Sequence, residues 1–120
     1  MARSGFVPKT DQRRQILRDA WIGDAVLCLY ARALILREGG EVDGERYIRM
    51  TSNQFLGQLG EASEVEARIG RAYESGGLAG AFAWLDDHLL PLYRRQEANR
   101  TKARGRIVRK PLDHNSLPSE

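Results

Sequence analysis

Ten residues, Trp21-Ile22-Gly23-Asp24-Ala25-Val26-Leu27-Cys28-Leu29-Tyr30, constrain this chain more than any other stretch. They read as a helix that is apolar on nearly every side, interrupted by one glycine and one carboxylate. Ile22, Val26, Leu29 and Ala33 fall at i, i+4, i+7 and i+11, which predicts a core-facing stripe. Asp24 lies off that stripe. Gly23, without a side chain, allows another backbone or a ligand to come close beside it. Position alone leaves two roles for Asp24: compensation of the helix dipole near a helix start, or a functional carboxylate.

The remaining segments also have helical periodicity. Thr10 or Asp11 can cap a helix reaching about Trp21, with Ile16, Leu17 and Ala20 on its apolar side and Arg13, Arg14 and Arg18 mostly opposite. Gly23 joins it with little or no loop to a central helix over residues 22–37, which closes at Gly39-Gly40. A third helical stretch starts at Glu45 and restarts at Thr51 or Ser52; as the cap, Ser52 would precede a turn carrying Phe55, Leu56 and Leu59 before Gly60. Ser63 and Glu66 have capping-box spacing and open a helix through Val65, Ile69, Ala72 and Tyr73, stopped by Ser75-Gly76-Gly77. A last long helix carries Leu78, Phe82, Leu85 and Leu89 on one stripe, with a kink or stop expected at Pro91. Leu92 and Tyr93 can continue this helix into the basic segment, and after Gly105 the composition allows no core and predicts an extended or disordered chain. Nothing reads as a strand. The expected fold is all-α with about five helices: an irregular lead over residues 1–9, a helical domain over 10–98 and a disordered basic tail over 99–120.

Size and composition narrow the possible functions. A chain of 120 residues is long enough for one domain with a real core. No apolar run approaches the roughly 20 residues of a membrane span, so no membrane role is expected. Residues 1–7 lack the apolar segment of a secretory signal. The single cysteine, Cys28, excludes an intrachain disulfide, fits a reducing compartment and reads as a small core residue. The expected location is cytoplasmic, with an organelle as the alternative.

Charge is unevenly placed. Residues 94–110 hold Arg94, Arg95, Arg100, Lys102, Arg104, Arg106, Arg109 and Lys110 against Glu97 alone, a net of +7, whereas residues 1–93 carry 11 basic and 13 acidic side chains. A basic tail on a near-neutral body is suited to a polyanion, and Arg100, Lys102, Arg104, Arg106, Arg109 and Lys110 are the candidate residues for contacting its phosphates. A tail that only confers solubility is the plainer alternative.

Ile22-Gly23-Asp24-Ala25-Val26-Leu27 resembles the hallmark helix of the ribonuclease III domain, with its Gly-Asp-Ala-Val core. Alanine at position 20, where the full-length enzymes carry glutamate, is similar to the mini-ribonuclease III branch. Ser52-Asn53 followed by Phe55-Leu56 resembles the family's helix after its first loop, and Gly80-Ala81-Phe82-Ala83-Trp84-Leu85 is similar to the late helix that carries Asp-x-x-Glu in active members. The likeness spans residues 11–93. It implies an all-α homodimer with Trp21, three residues before Asp24, at the dimer interface. It also implies Mg²⁺ held by clustered carboxylates in active members, which generates the attacking water and stabilises the phosphoryl charge.

On that alignment Asp24 is the matching catalytic carboxylate, whereas the late pair falls on Gly80 and Ala83, which have no ligating side chain. A displacement of one helical turn would bring Asp87 towards Asp24 as a second metal ligand, with Glu74 as a further candidate. On the plainer view Asp86, Asp87 and His88 are an outer polar face. The expected function is a catalytically impaired, homodimeric domain that binds double-stranded or structured RNA, or a ribosomal or RNA-processing particle. Double-stranded RNA is read largely by shape and backbone contacts, which do not require the metal ligands. The alternatives are a divergent Mg²⁺-dependent endonuclease and a helical protein-interaction module.

Overall fold

The structure, a computed structural model, describes residues 9–112 and the side chains of 10–105. Its element order is α1 (Lys9–Gly39), α2 (Gly44–Thr51), α3 (Asn53–Leu56), α4 (Ala62–His88) and α5 (Leu90–Leu112), with no strand among the described residues. The all-α expectation holds. The first two expected helices are one continuous helix of 31 residues, with Gly23 inside it.

The punctuation follows local chemistry. α1 ends at the Gly39-Gly40 pair, where Gly40 N–H bonds the Leu36 carbonyl. Asp43 caps α2 by accepting from Arg46 N–H at 3.0 Å, and Ser52 caps α3 by accepting from Phe55 N–H at 3.1 Å. α4 differs from expectation at its start. Glu61 is the cap, accepting from Glu64 N–H, so Ser63 and Glu66 lie within the helix and form no capping box. Gly77 breaks α4 with φ 68° and ψ −166°, a conformation open to glycine and costly for L side chains. Pro91 sits in the first turn of α5, just beyond the break at Leu89. α5 then continues through the basic segment to Leu112. The backbone of 99–112 is therefore helical where a disordered tail was expected, because no strong helix breaker intervenes before Pro111.

α1 and α4 pack along most of their lengths and hold the core between them. Val26, Leu27, Tyr30, Ala31, Leu34 and Ile35 meet Val65, Ile69, Ala81, Leu85 and Leu89, with Met50, Phe55, Leu56 and Tyr93 closing one end. The core stripe of α1 is thus rotated from the expected one. Ile22 and Leu29 are exposed, Ala33 is half-buried, and of the four expected positions only Val26 is fully inside. The cause is visible in the sequence of α1, which has almost no amphipathic asymmetry. Leu17, Trp21, Ile22, Leu29 and Leu36 form a second apolar face that points outward.

The helices cross at two glycines. A side chain at Gly23 would run into the Glu66 carbonyl, and one at Gly70 into the Asp19 carbonyl and within 3.2 Å of Gly23 N. This backbone-to-backbone approach sets the register that positions everything near Asp24 and Glu66. Ion pairs fix the root of α5: Arg94 bonds Glu38 at 2.7 Å, Arg46 bonds Glu38 and the Tyr93 hydroxyl, and Arg49 grips Glu97 with two bonds at 2.9 and 3.2 Å. Arg94 and, after it, Arg46 hold the Glu38 carboxyl below its ordinary range.

Candidate functional site

Asp24 does not stand alone. Its helix turns it towards an open cleft of about 400 Å³ lined by Leu17, Ala20, Trp21, Asp24, Ser63 and Glu66. Glu66 reaches it from the first turns of α4, one helical turn before Gly70 at the crossing, and its carboxyl is within hydrogen-bonding reach of the Asp24 carboxylate. Burial, that hydrogen bond and the negative charge of Asp24 push Glu66 up to about 7, with Glu61 adding to the effect. Glu66 therefore keeps its proton to a higher pH than a free glutamate does. The pair is half-open to solvent, since Asp24 is exposed and Glu66 half-buried.

Chemically, such a pair holds either a proton or a hard cation. A divalent ion of the Mg²⁺ type takes one or two carboxylates and completes its shell with water or phosphate oxygens. Ser63, one turn before Glu66, adds a hydroxyl to the cleft wall, and Ala20, one turn before Asp24, adds nothing polar. Among the described residues no three acidic, His or Cys side chains gather closely enough to hold a metal ion. The site is a dyad.

The other expected site residues lie elsewhere. Asp87 is exposed and does not line the Asp24 cleft, so the one-turn displacement that would bring it there does not occur. The reason is its neighbour: Asp86 accepts the Tyr30 hydroxyl at 2.7 Å, which pins this turn of α4 to the middle of α1, and burial together with Asp86 raises the Tyr30 hydroxyl far above its ordinary value. Glu74 lines a neighbouring hollow with Gln15, Arg18, Asp19, Trp21 and Ile22. Trp21 stands between these two hollows and is 80 % exposed. His88 is a surface residue stacked on the half-buried Trp84, with ring centroids 4.4 Å apart. Cys28 is half-buried on the outer side of α1 and accepts the Tyr47 hydroxyl at 2.9 Å.

Of the basic segment, Arg94 is paired, whereas Arg95, Arg100, Lys102 and Arg104 make no ion pair among the described residues. Arg106, Arg109 and Lys110 fall on the helical backbone of α5, but their side chains lie outside the described ones. The residue that the sequence reading passed over is Glu66, assigned there to a cap. Its spacing from Gly70, which matches that of Gly23 to the far side of the crossing, was the available signal. Asp19 was passed over too: it is 4 % exposed, accepts from Gln15 at 3.1 Å and meets Arg71 at 3.5 Å, so it serves the α1–α4 packing.

No family model, curated protein or solved structure matches the chain.

Proposed function

We propose that the chain is a ribonuclease III-like domain that binds double-stranded or structured RNA as a homodimer, with its cleavage site reduced to the Asp24–Glu66 dyad. The observation that carries this is Glu66 set against Asp24 across the α1–α4 crossing. The Asp-x-x-Glu spacing of active members then falls on Ser63 and Glu66, not on Gly80 and Ala83. One carboxylate of that pair is kept and one replaced by serine, while Ala20 replaces the glutamate of the first helix. Asp24 and Glu66 would hold Mg²⁺, which would supply electrostatic stabilisation to phosphate oxygens. Two protein carboxylates hold it less firmly than a full cluster.

The partner in this proposal is a second copy. Five large apolar side chains of α1, Leu17, Trp21, Ile22, Leu29 and Leu36, are exposed, and a second copy would cover them. This face ends beside an apolar hollow lined by Arg32, Ile35, Leu36, Val42 and Tyr47. Trp21 and Ile35 are equally far from Cys28 along α1, so two antiparallel copies paired about Cys28 would bring each Trp21 to the other's hollow. A ribosomal or RNA-processing particle is a further partner of the same chemistry. The unpaired cations of α5 would take phosphates and make affinity fall steeply with salt.

A second reading, a divergent Mg²⁺-dependent endonuclease, is favoured by the same dyad and its open cleft. One experiment separates the possibilities. A blunt RNA duplex is incubated with the full chain at low and moderate ionic strength, with and without Mg²⁺, beside Asp24→Asn and Glu66→Gln. Salt-sensitive binding without cleavage, unchanged in both variants, supports the binding domain. Mg²⁺-dependent cleavage lost in both variants replaces it with the endonuclease. Absence of RNA binding at low salt with the dimer intact leaves a protein-interaction module.

A further inference from the structure

A cleft of about 420 Å³ separates α2 and α3 from the root of α5, remote in sequence and lining from the dyad. Its walls are Arg49, Ser52, Gln54, Gln58, Gln96, Glu97, Asn99 and Arg100, over Phe55. Its makeup is unusual for this chain. Four of the seven Asn and Gln side chains among the described residues converge on it, and none of the four forms a hydrogen bond with a described residue. The charges are settled except for one. Arg49 and Glu97 neutralise each other through their two-point bond, and Arg100 has no ion-pair partner among the described residues. Phe55 is buried, so the floor offers no stacking platform and recognition must come from edges.

A carboxamide presents one donor and one acceptor in a plane, the pattern that pairs with nucleobase edges. In duplex RNA those edges are engaged or lie in a groove that side chains do not read, and base-specific contacts go to unpaired nucleotides. The single free guanidinium suits one phosphate, and Lys102 and Arg104 continue the cationic path along α5. The size lies in the range of a small-ligand pocket.

We infer that this carboxamide cleft is a subsite for one unpaired nucleotide of an RNA, its base held by Gln54, Gln58, Gln96 and Asn99 and its phosphate by Arg100. The inference rests on the RNA-binding reading above and adds a preference for duplexes that end in, or are interrupted by, a single strand.

The test compares a blunt RNA duplex with the same duplex carrying a short single-stranded overhang, by fluorescence anisotropy with the full chain. The wild type is expected to favour the overhang duplex by about tenfold, the scale of one well-formed edge contact. Gln58→Ala/Asn99→Ala, which replaces two exposed side chains, is expected to remove that preference and leave blunt-duplex affinity unchanged. Equal affinity of the wild type for both duplexes overturns the subsite while leaving RNA binding intact, as it would if the cleft held peptide. Preference that survives both this variant and Gln54→Ala/Gln96→Ala also overturns it. Loss of binding to both duplexes in wild type instead defeats the RNA reading on which the subsite rests.

Discussion

Gly23 and Gly70 face each other where α1 and α4 cross, at a separation that leaves no room for a methyl group on either. Each is walled by a main-chain carbonyl of the opposite helix, Glu66 for Gly23 and Asp19 for Gly70. Main chain cannot swing aside as a flexible side chain does. The crossing therefore specifies both the core register and the distance between Asp24 and Glu66.

Gly70→Ala tests this contact. In an isolated helix the change would stabilise by up to about 1 kcal/mol. Here overpacking should outweigh that gain and cost on the order of 1–3 kcal/mol net, or more. Gly76→Ala, with open space around the added methyl, should be neutral or mildly stabilising. Urea unfolding followed by circular dichroism reads both, and equal midpoints for the two variants would contradict the tight crossing.

The dyad gives stability a pH dependence of defined sign. Glu66 is raised from 4.5 to about 7, so between those values the native protein keeps a proton that the unfolded chain has released. The associated stabilisation is complete below pH 4.5, falls as pH rises through about 7 and is absent above. Glu66→Gln, which carries a permanent donor, should flatten this slope and unfold at higher temperature than wild type at pH 8. Mg²⁺ at pH 8 should raise the wild-type midpoint and leave that of Asp24→Asn unmoved. Thermal melts across pH 4.5–8 check each expectation.

Trp21 contributes little to the core of one copy, being 80 % exposed. Trp21→Ala should therefore keep the helical content and unfolding cooperativity of the monomer. If the outer face of α1 joins two copies, the loss of an aromatic anchor should cost 2 kcal/mol or more, roughly thirtyfold in the dimer dissociation constant. Sedimentation equilibrium at several concentrations decides the matter. An unchanged molecular mass would remove Trp21 from the interface.

Tyr30→Phe deletes the hydroxyl that holds Asp86. The ring stays buried and keeps its edge-to-face contact with Phe82 at 5.2 Å. A loss of roughly 1–2 kcal/mol is expected, the range for a hydrogen bond to a partly solvated carboxylate. Asp87→Ala, one residue along, should change stability by less than about 0.5 kcal/mol, in keeping with an exposed side chain without partners among the described residues. The contrast distinguishes the structural aspartate from its solvated neighbour.

Much of the architecture was legible because it rests on local chemistry. Ser52 as a cap, Gly39-Gly40 as a terminus, the break at Ser75-Gly76-Gly77 and the interruption near Pro91 all depend on a few adjacent residues. What could not be read depends on tertiary choice. With Leu17, Ile22, Leu29 and Leu36 on one side of α1 and Val26, Leu27, Tyr30 and Leu34 on the other, periodicity offers two admissible stripes, and only the fit to α4 selects between them. Glu66 was misassigned for a related reason. Its spacing from Ser63 satisfies a capping box, and the competing cap, Glu61, is an uncommon residue at that position. Asp24 was singled out from its neighbours, but its companion lies 42 positions away and could be identified only once the two glycines were seen to touch.

The ion pairs at the base of α5 shape the field along that helix. Arg49 pairs there with Glu97, and Arg46 and Arg94 share Glu38, whereas Arg95 at the root and Arg100, Lys102 and Arg104 farther out make no ion pair among the described residues. Cations without an ion-pair partner thus run from the root of the helix outward. A long polyanion laid along that helix would meet several cations in succession, so its association rate should fall as salt screens them.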